Sequence, residues 1–177
     1  MTAFLALALG TGGATGAQAL EYPIGEPVIA GGMEVAAVFL QPIEMDPPGM
    51  MRDGAESDIH LEADIHAVAD NANGFAEGDW LPYLVIHYEL TKVDTGEAQV
   101  GELMPMVASD GPHYGDNLEL MGLGTYRLVL SVAPPSANEH AHFGRHTDQE
   151  TGVAPWFEPF TAEYEFTFAG TGKKGSY

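Results

Sequence analysis

Hydrophobic and polar positions alternate most strictly between Ser57 and Ala67, which read SDIHLEADIHA. Ile59, Leu61, Ala63, Ile65 and Ala67 share one side of a period-two pattern, and Asp58, His60, Glu62, Asp64 and His66 share the other. Strict alternation over this length predicts a half-buried β-strand with its apolar row on a core. Side chains at i and i+2 on one face stand roughly 7 Å apart, so this strand alone does not clamp a metal ion and partners must come from elsewhere. An acidic, solvated strand face with two incidental histidines accounts for the stretch equally well.

The rest of the chain reads as strands and turns, with no convincing helix. Glu34–Leu40 is a β-rich run ended by Pro42, and Asp46–Asp58 is a loop rich in Pro, Gly and Met. A further loop is marked by Asn73-Gly74. Tyr83–Leu90 alternates, Asp94-Thr95-Gly96 turns, and Glu97–Ala108 returns as the hairpin partner. Tyr126, Leu128, Leu130 and Val132 alternate in another strand, and Phe160, Ala162, Tyr164, Phe166 and Phe168 in the last. About seven strands or more separated by turn signals predict an all-β protein, an immunoglobulin-like antiparallel β-sandwich, with a closed barrel as the alternative. Tyr88, Tyr126, Trp156, Phe160, Tyr164, Phe166 and Phe168 are expected in the core.

Length suits one domain: the chain has 177 residues. Residues 1–19 carry a short apolar run and an Ala17-Gln18-Ala19 small-x-small site, the end of a secretory signal, although the basic n-region is missing. The run is too short to span a bilayer. Residues 20–170 form the domain, and 171–177 are expected to be a loose tail. Export implies the periplasm.

Charge and composition narrow the chemistry. Lys+Arg is 6 against Asp+Glu 26, a formal charge of -20, which repels nucleic acid and anionic membranes and gathers cations. Without cysteine, thiolate zinc sites and disulfides are excluded, so any transition-metal site is built from the 7 His, 8 Met and the carboxylates. Three segments stand out beside the Ser57–Ala67 strand. Leu103–Gly115, LMPMVASDGPHYG, puts Met104 and Met106 on one strand face and presents His113 after a tight turn at Asp110. Ala141–Gly152 is a polar loop with His142 and His146, preceded by His140, and Glu21 lies near the expected mature start. Thioether with imidazole suits copper in either oxidation state and tolerates Fe(II), whereas calcium and magnesium would leave both donors idle. Met106 as a gap-filling core residue and the histidines as surface groups remain the plain alternatives. No nucleophile elbow or phosphate-cradling loop is present.

Taken together, GMEVAAVFLQPIEM (Gly32–Met45), the Ser57–Ala67 stretch, NGFAEGDWLPYL (Asn73–Leu84), LMPMVASDGPHYG, FGRHTDQETG and WFEPF (Trp156–Phe160) resemble the periplasmic Fe2+ transport protein family, whose members work beside an inner-membrane iron permease. The resemblance runs from about Glu21 to Phe168. It implies an immunoglobulin-like sandwich, a homodimer and a metal site near the subunit interface that binds copper while the role is iron acquisition. Carried residue by residue, it implies copper ligands at His60, Met106, His113 and His146, with Glu62 as a nearby carboxylate. It also implies that Glu21 and Asp110 are acidic groups beside the site, candidates for a second cation position. His140 and His142 fall outside that pattern, as do His66 and His87, and His66 is expected to be structural or interfacial. Three functions follow as expectations: an Fe(II) carrier that also binds copper, a copper-dependent protein that oxidises or reduces iron, and an adhesion or assembly sandwich. Manganese is the air-stable substitute for Fe(II) in a soaking experiment. Neutral histidine ligands predict that binding weakens as pH falls through about 6.5.

Overall fold

The computed structural model describes residues 21–170, so the export signal and the loose tail expected at the two ends lie outside the described residues. Nine strands carry the fold: β1 (Tyr22–Pro23), β2 (Val28–Ala30), β3 (Met33–Leu40), β4 (Ile59–Ala67), β5 (Val85–Lys92), β6 (Ala98–Ala108), β7 (Gly111–Leu118), β8 (Gly124–Ala133) and β9 (Phe160–Phe168). All pair antiparallel, in the order β1-β3-β4-β7-β6-β5-β8-β9, with β2 beside β3. The path ends at β1 and β9 without closing, so the barrel alternative is not what the chain adopts.

The sheet folds over itself through β6. Residues Ala98–Leu103 pair with β5, and Met104–Ala108 pair with β7. One strand therefore belongs to both layers, and the β3-β4-β7 layer packs on the β5-β8-β9 layer as an immunoglobulin-like sandwich. Phe39 of β3 meets Phe166 and Phe168 of β9 with ring centroids 5.3 and 6.0 Å apart. The Tyr164 hydroxyl donates to the Val35 carbonyl at 2.8 Å, tying the same two strands across the core.

Alternation decides what fills that core. Ile59, Leu61, Ala63, Ile65 and Ala67 of β4 are buried, and so are Leu84, Ile86, Tyr88 and Leu90. Tyr126, Leu128, Leu130 and Val132 of β8 face them with Ala162, Tyr164, Phe166 and Phe168 of β9. Each fully buried aliphatic or aromatic side chain stabilises the fold by about 1.5–3 kcal/mol, so these rows hold the sandwich together. Two of the expected core aromatics sit elsewhere. Phe160 is only half-buried at the core's margin, and Trp156 lies in a surface cluster against Phe143, their centroids 6.2 Å apart. Neither departs from apolar packing; the chain is irregular through Trp156 and Phe160 only opens β9, so strand alternation does not set the first ring and sets the second only at the sheet's end.

The largest departure from the expected elements is β7. Its sequence, GPHYGDNL, is rich in residues poor at forming strands, yet it lies between β4 and β6 over eight residues. A two-residue turn at Ser109-Asp110 joins it to β6, with Ala108 opposite Gly111. β4 is thus an interior strand, flanked by β3 and β7. Its polar row is buried at His60 and Glu62 and half-buried at Asp64 and His66, and the 41–53 segment is tied beside it, bonded to Asn117 through Ile43 and Arg52.

Candidate metal centre

Register places the donors. In β4–β7, His60 lies opposite Asn117 and Glu62 opposite Gly115; in β7–β6, Gly115 lies opposite Met104 and His113 opposite Met106. Directly paired residues share a face of the sheet. His60, Glu62, Met104, Met106, His113 and Asn117 therefore project from one side, away from the hydrophobic core.

Their tips converge further than the strand spacing suggests. Nε2 of His113 is 3.3 Å and Nε2 of His60 is 3.6 Å from the same Glu62 carboxylate oxygen, Oε1. The two imidazoles meet edge-on, with centroids 5.9 Å apart at 76°. Neighbouring positions on β4 thus do serve one centre, because the side chains lean together at their ends. The third donor, His113, comes from β7, three strands on in sequence but paired directly with β4. His60 is 0% and Glu62 7% exposed. Neither Nε2 makes a hydrogen bond, and both atoms are buried. A buried polar atom without a partner is costly, and here two face the same point.

Asn117 fixes which nitrogen of His60 is free. Its Nδ2 donates to the carbonyls of Ile43 (2.9 Å) and Arg52 (3.0 Å), while its Oδ1 accepts from the Ile43 N–H (3.2 Å). The amide's orientation is therefore set by the backbone, and Oδ1 is an acceptor toward His60 Nδ1, 3.0 Å away. Nδ1 carries the proton, which leaves the Nε2 lone pair aimed at Glu62 and His113. This is the outer partner a ligating histidine ordinarily has. Gly115 completes the seat: a Cβ there would lie 2.6 Å from His60 Nε2 and 2.9 Å from its Cε1, so the ring occupies the space a side chain would take.

Electrostatics set the protonation states. Burial pushes His60 down to about 4, and the neighbouring His113 adds to this, against the opposing hydrogen bond from Asn117. Burial also holds His113 below the ordinary imidazole range, opposed by Asp64. Burial, followed by the charges of Asp64, Glu21 and Asp110, pushes Glu62 up to about 8. At neutral pH the cluster is two neutral imidazoles and a protonated carboxyl. A divalent cation would displace that proton and meet two nitrogens and one oxygen without having to deprotonate a histidine.

The other expected site residues fall into place unequally. Met106 sits opposite His113 and lines the same cleft, of about 1050 Å³, as Glu62 and His113. Glu21 and Asp110 border that cleft beside the cluster, and burial, followed by the neighbouring Asp110, raises the Glu21 carboxyl above its usual range. His146 does not join it. Its side chain is 74% exposed on the 138–159 loop, with Nδ1 2.8 Å from Thr151 Oγ1 and 3.8 Å from an Asp148 oxygen. Within one chain, the expected set of four therefore comes together as three, for sequence spacing says nothing of whether a loop folds back onto its own strands. His140 and His142 are exposed on the same loop, and His87 is exposed on the outer face of β5. His66 is half-buried beside Trp80 and borders a smaller cavity with Asp64. Asp64 and Asn117 were not singled out as site residues; Asp64 stood in the polar row of β4, but nothing in the pattern marked Asn117, on a strand that does not alternate in the ordinary way.

Asn117→Ala is expected to lower Cu(II) affinity by about 10–100-fold, since His60 loses its orienting partner. Calorimetric titration of the metal-free variant checks this, and Asn117→Asp, which keeps an acceptor at Oδ1, is expected to recover part of the loss.

Known proteins resemble this chain across almost its whole sandwich. A family model for the Fe2+ transport protein matches residues 18–170. A UPF0423 protein of Brucella abortus is 67% identical over 176 residues, covering 99% of this chain and 97% of that protein. A copper-bound variant of FetP from uropathogenic Escherichia coli is 55% identical, with a TM-score of 0.82, covering 85% of this chain and 99% of the other. FetP has also been obtained as isolated after expression in the periplasm. A copper-reconstituted protein of Campylobacter jejuni is 52% identical, with a TM-score of 0.83 over 86% of this chain and 99% of the other. With a match across almost the whole sandwich and close relatives crystallised with copper, the chain belongs to the Fe2+ transport protein family.

Proposed function

We propose that this protein is a periplasmic carrier that captures Fe(II) and passes it to an inner-membrane iron permease, and that it binds copper at the His60–Glu62–His113 cluster. One observation carries the reading: two buried imidazole nitrogens, both without hydrogen bonds, face one carboxylate oxygen. Met106 supplies a soft fourth donor from the neighbouring strand. Copper held there would provide a Lewis-acidic, redox-capable ion. The strongly negative chain attracts cations toward the cleft.

His146 enters as a ligand given by a second copy of the chain. Its exposure, and its distance from its own cluster's donors, favour this arrangement in a homodimer with the metal near the interface. Titration of metal-free protein with Cu(II) tests both parts. His60→Ala is expected to weaken binding by about 100-fold or more, and His146→Ala to weaken it less. Mixing the two variants is expected to regain tight binding at a fraction of sites, because a mixed dimer holds one centre with both histidines. An unaltered isotherm for His60→Ala would reject the cluster. Failure of the mixture to regain tight sites would reject the shared ligand.

The pairing of Met106 with His113 supports a second reading, in which copper cycles between oxidation states during iron transfer. Ferrous oxidation by copper-loaded protein separates the two: turnover beyond one equivalent of iron favours a redox protein, and stoichiometric exchange favours a carrier.

A further inference from the structure

Methionine is spent unevenly along this chain. Of the 8 methionines, Met33 is in the core, while Met45, Met50, Met104 and Met106 all line the one cleft above the cluster. Met106 faces His113 and belongs to the cluster's own donors. Met104 continues the row Glu62–Gly115–Met104 across three strands. Met45 and Met50 reach the cleft from the 41–53 loop.

Packing does not account for Met50. A methionine that fills a gap is buried, yet Met50 is 54% exposed. The loop is held at both ends by one residue, since Asn117 bonds Ile43 through both its N–H and carbonyl and Arg52 through its carbonyl. Arg52 also donates to the Glu56 carbonyl at 2.8 Å and pairs with Glu119. Met45 and Met50 therefore sit between two fixed points. The cleft they border also receives His113, whose buried Nε2 has no partner. Thioethers are soft, uncharged donors that hold monovalent copper well and hard or borderline divalent ions poorly.

We propose that Met45, Met50 and Met104 form a thioether site for Cu(I) in the cleft, beside and separate from the His60–Glu62–His113 cluster. The proposal rests on the reading of that cluster as a metal centre only for the contrast between the two donor sets. It gives the cleft two selectivities: thioethers that admit a soft monovalent ion, and imidazoles with a carboxylate that accept a divalent one.

Ag(I), a redox-inert ion of the same charge and softness, tests it on the full chain. The methyl ¹H–¹³C signals of Met45, Met50 and Met104 are expected to shift together as Ag(I) is added. The double variant Met45→Leu/Met50→Leu, which keeps side-chain volume and removes sulfur, is expected to lose about one Ag(I) equivalent and to keep Cu(II) uptake. Signals of Met45 and Met50 that stay in place, or an Ag(I) stoichiometry unchanged in the double variant, would overturn the proposal. Failure of the parent protein to take up Cu(II) would overturn the reading of the cluster instead, and the Ag(I) result is read independently of it.

Discussion

Gly115→Ala is expected to lower Cu(II) affinity by about 100-fold or more and to cost about 1–3 kcal/mol of stability. The new methyl would stand 2.6 Å from His60 Nε2 and 3.2 Å from the Leu61 carbonyl. Relief by swinging the imidazole away breaks its contact with Asn117 Oδ1 and turns Nε2 from Glu62. Relief by moving the backbone disturbs a ladder that β7 shares with both β4 and β6. Either way the donor set opens. Gly144→Ala is the control, because a Cβ there meets open space. Cu(II) titration and denaturant unfolding of both variants check the contrast, and a Gly115→Ala protein with parental affinity would contradict it.

Copper uptake at pH 7 is expected to release about one proton per site, from Glu62 and not from His60. With Glu62 pushed up to about 8, the metal-free carboxyl is mostly protonated at pH 7 and must ionise to ligate. His60, pushed down to about 4, is already neutral there. Affinity should therefore rise with pH, by up to about 1.4 kcal/mol per unit, and level off above about 8. Sequence alone put that change near 6.5, the free imidazole value; burial shifts the two groups in opposite directions and moves the controlling group from histidine to carboxyl. The metal-free fold shows the same signs. Stability tied to the raised Glu62 is fully present below about 4.5 and is lost as pH rises through about 8, whereas burial of neutral His60 costs stability as pH falls from about 6.5 to 4. Glu62→Gln is expected to abolish the proton release and the alkaline loss together. Titrations in buffers of differing ionisation enthalpy, with unfolding at pH 5 and pH 8, measure both.

The apolar half of the molecule was legible in the sequence because burial there follows period two. β4, β5, β8 and β9 alternate cleanly, and their inward rows are the core. Legibility failed at β7, where the outward row is His113, Gly115 and Asn117: a ligand, a gap for a ring, and an orienting amide. The residue types the site uses are not those that mark a strand, so the element most occupied with chemistry is the least visible. The polar row of β4 is visible but the burial of His60 and Glu62 is not, since it depends on β7 and on a 41–53 loop tied there by hydrogen bonds between Asn117 and residues 74 and 65 positions away. The resemblance implies His146 as a ligand, yet whether a loop histidine serves its own chain or a second copy is a question of assembly that spacing does not carry.

Anomalous diffraction at the copper edge from copper-soaked crystals tests the central claim most directly. The expected result is one strong peak about 2.0–2.2 Å from Nε2 of both His60 and His113, with the Glu62 carboxylate beside it. A map with no peak there, and copper found only on the exposed histidines of the 138–159 loop, would contradict it.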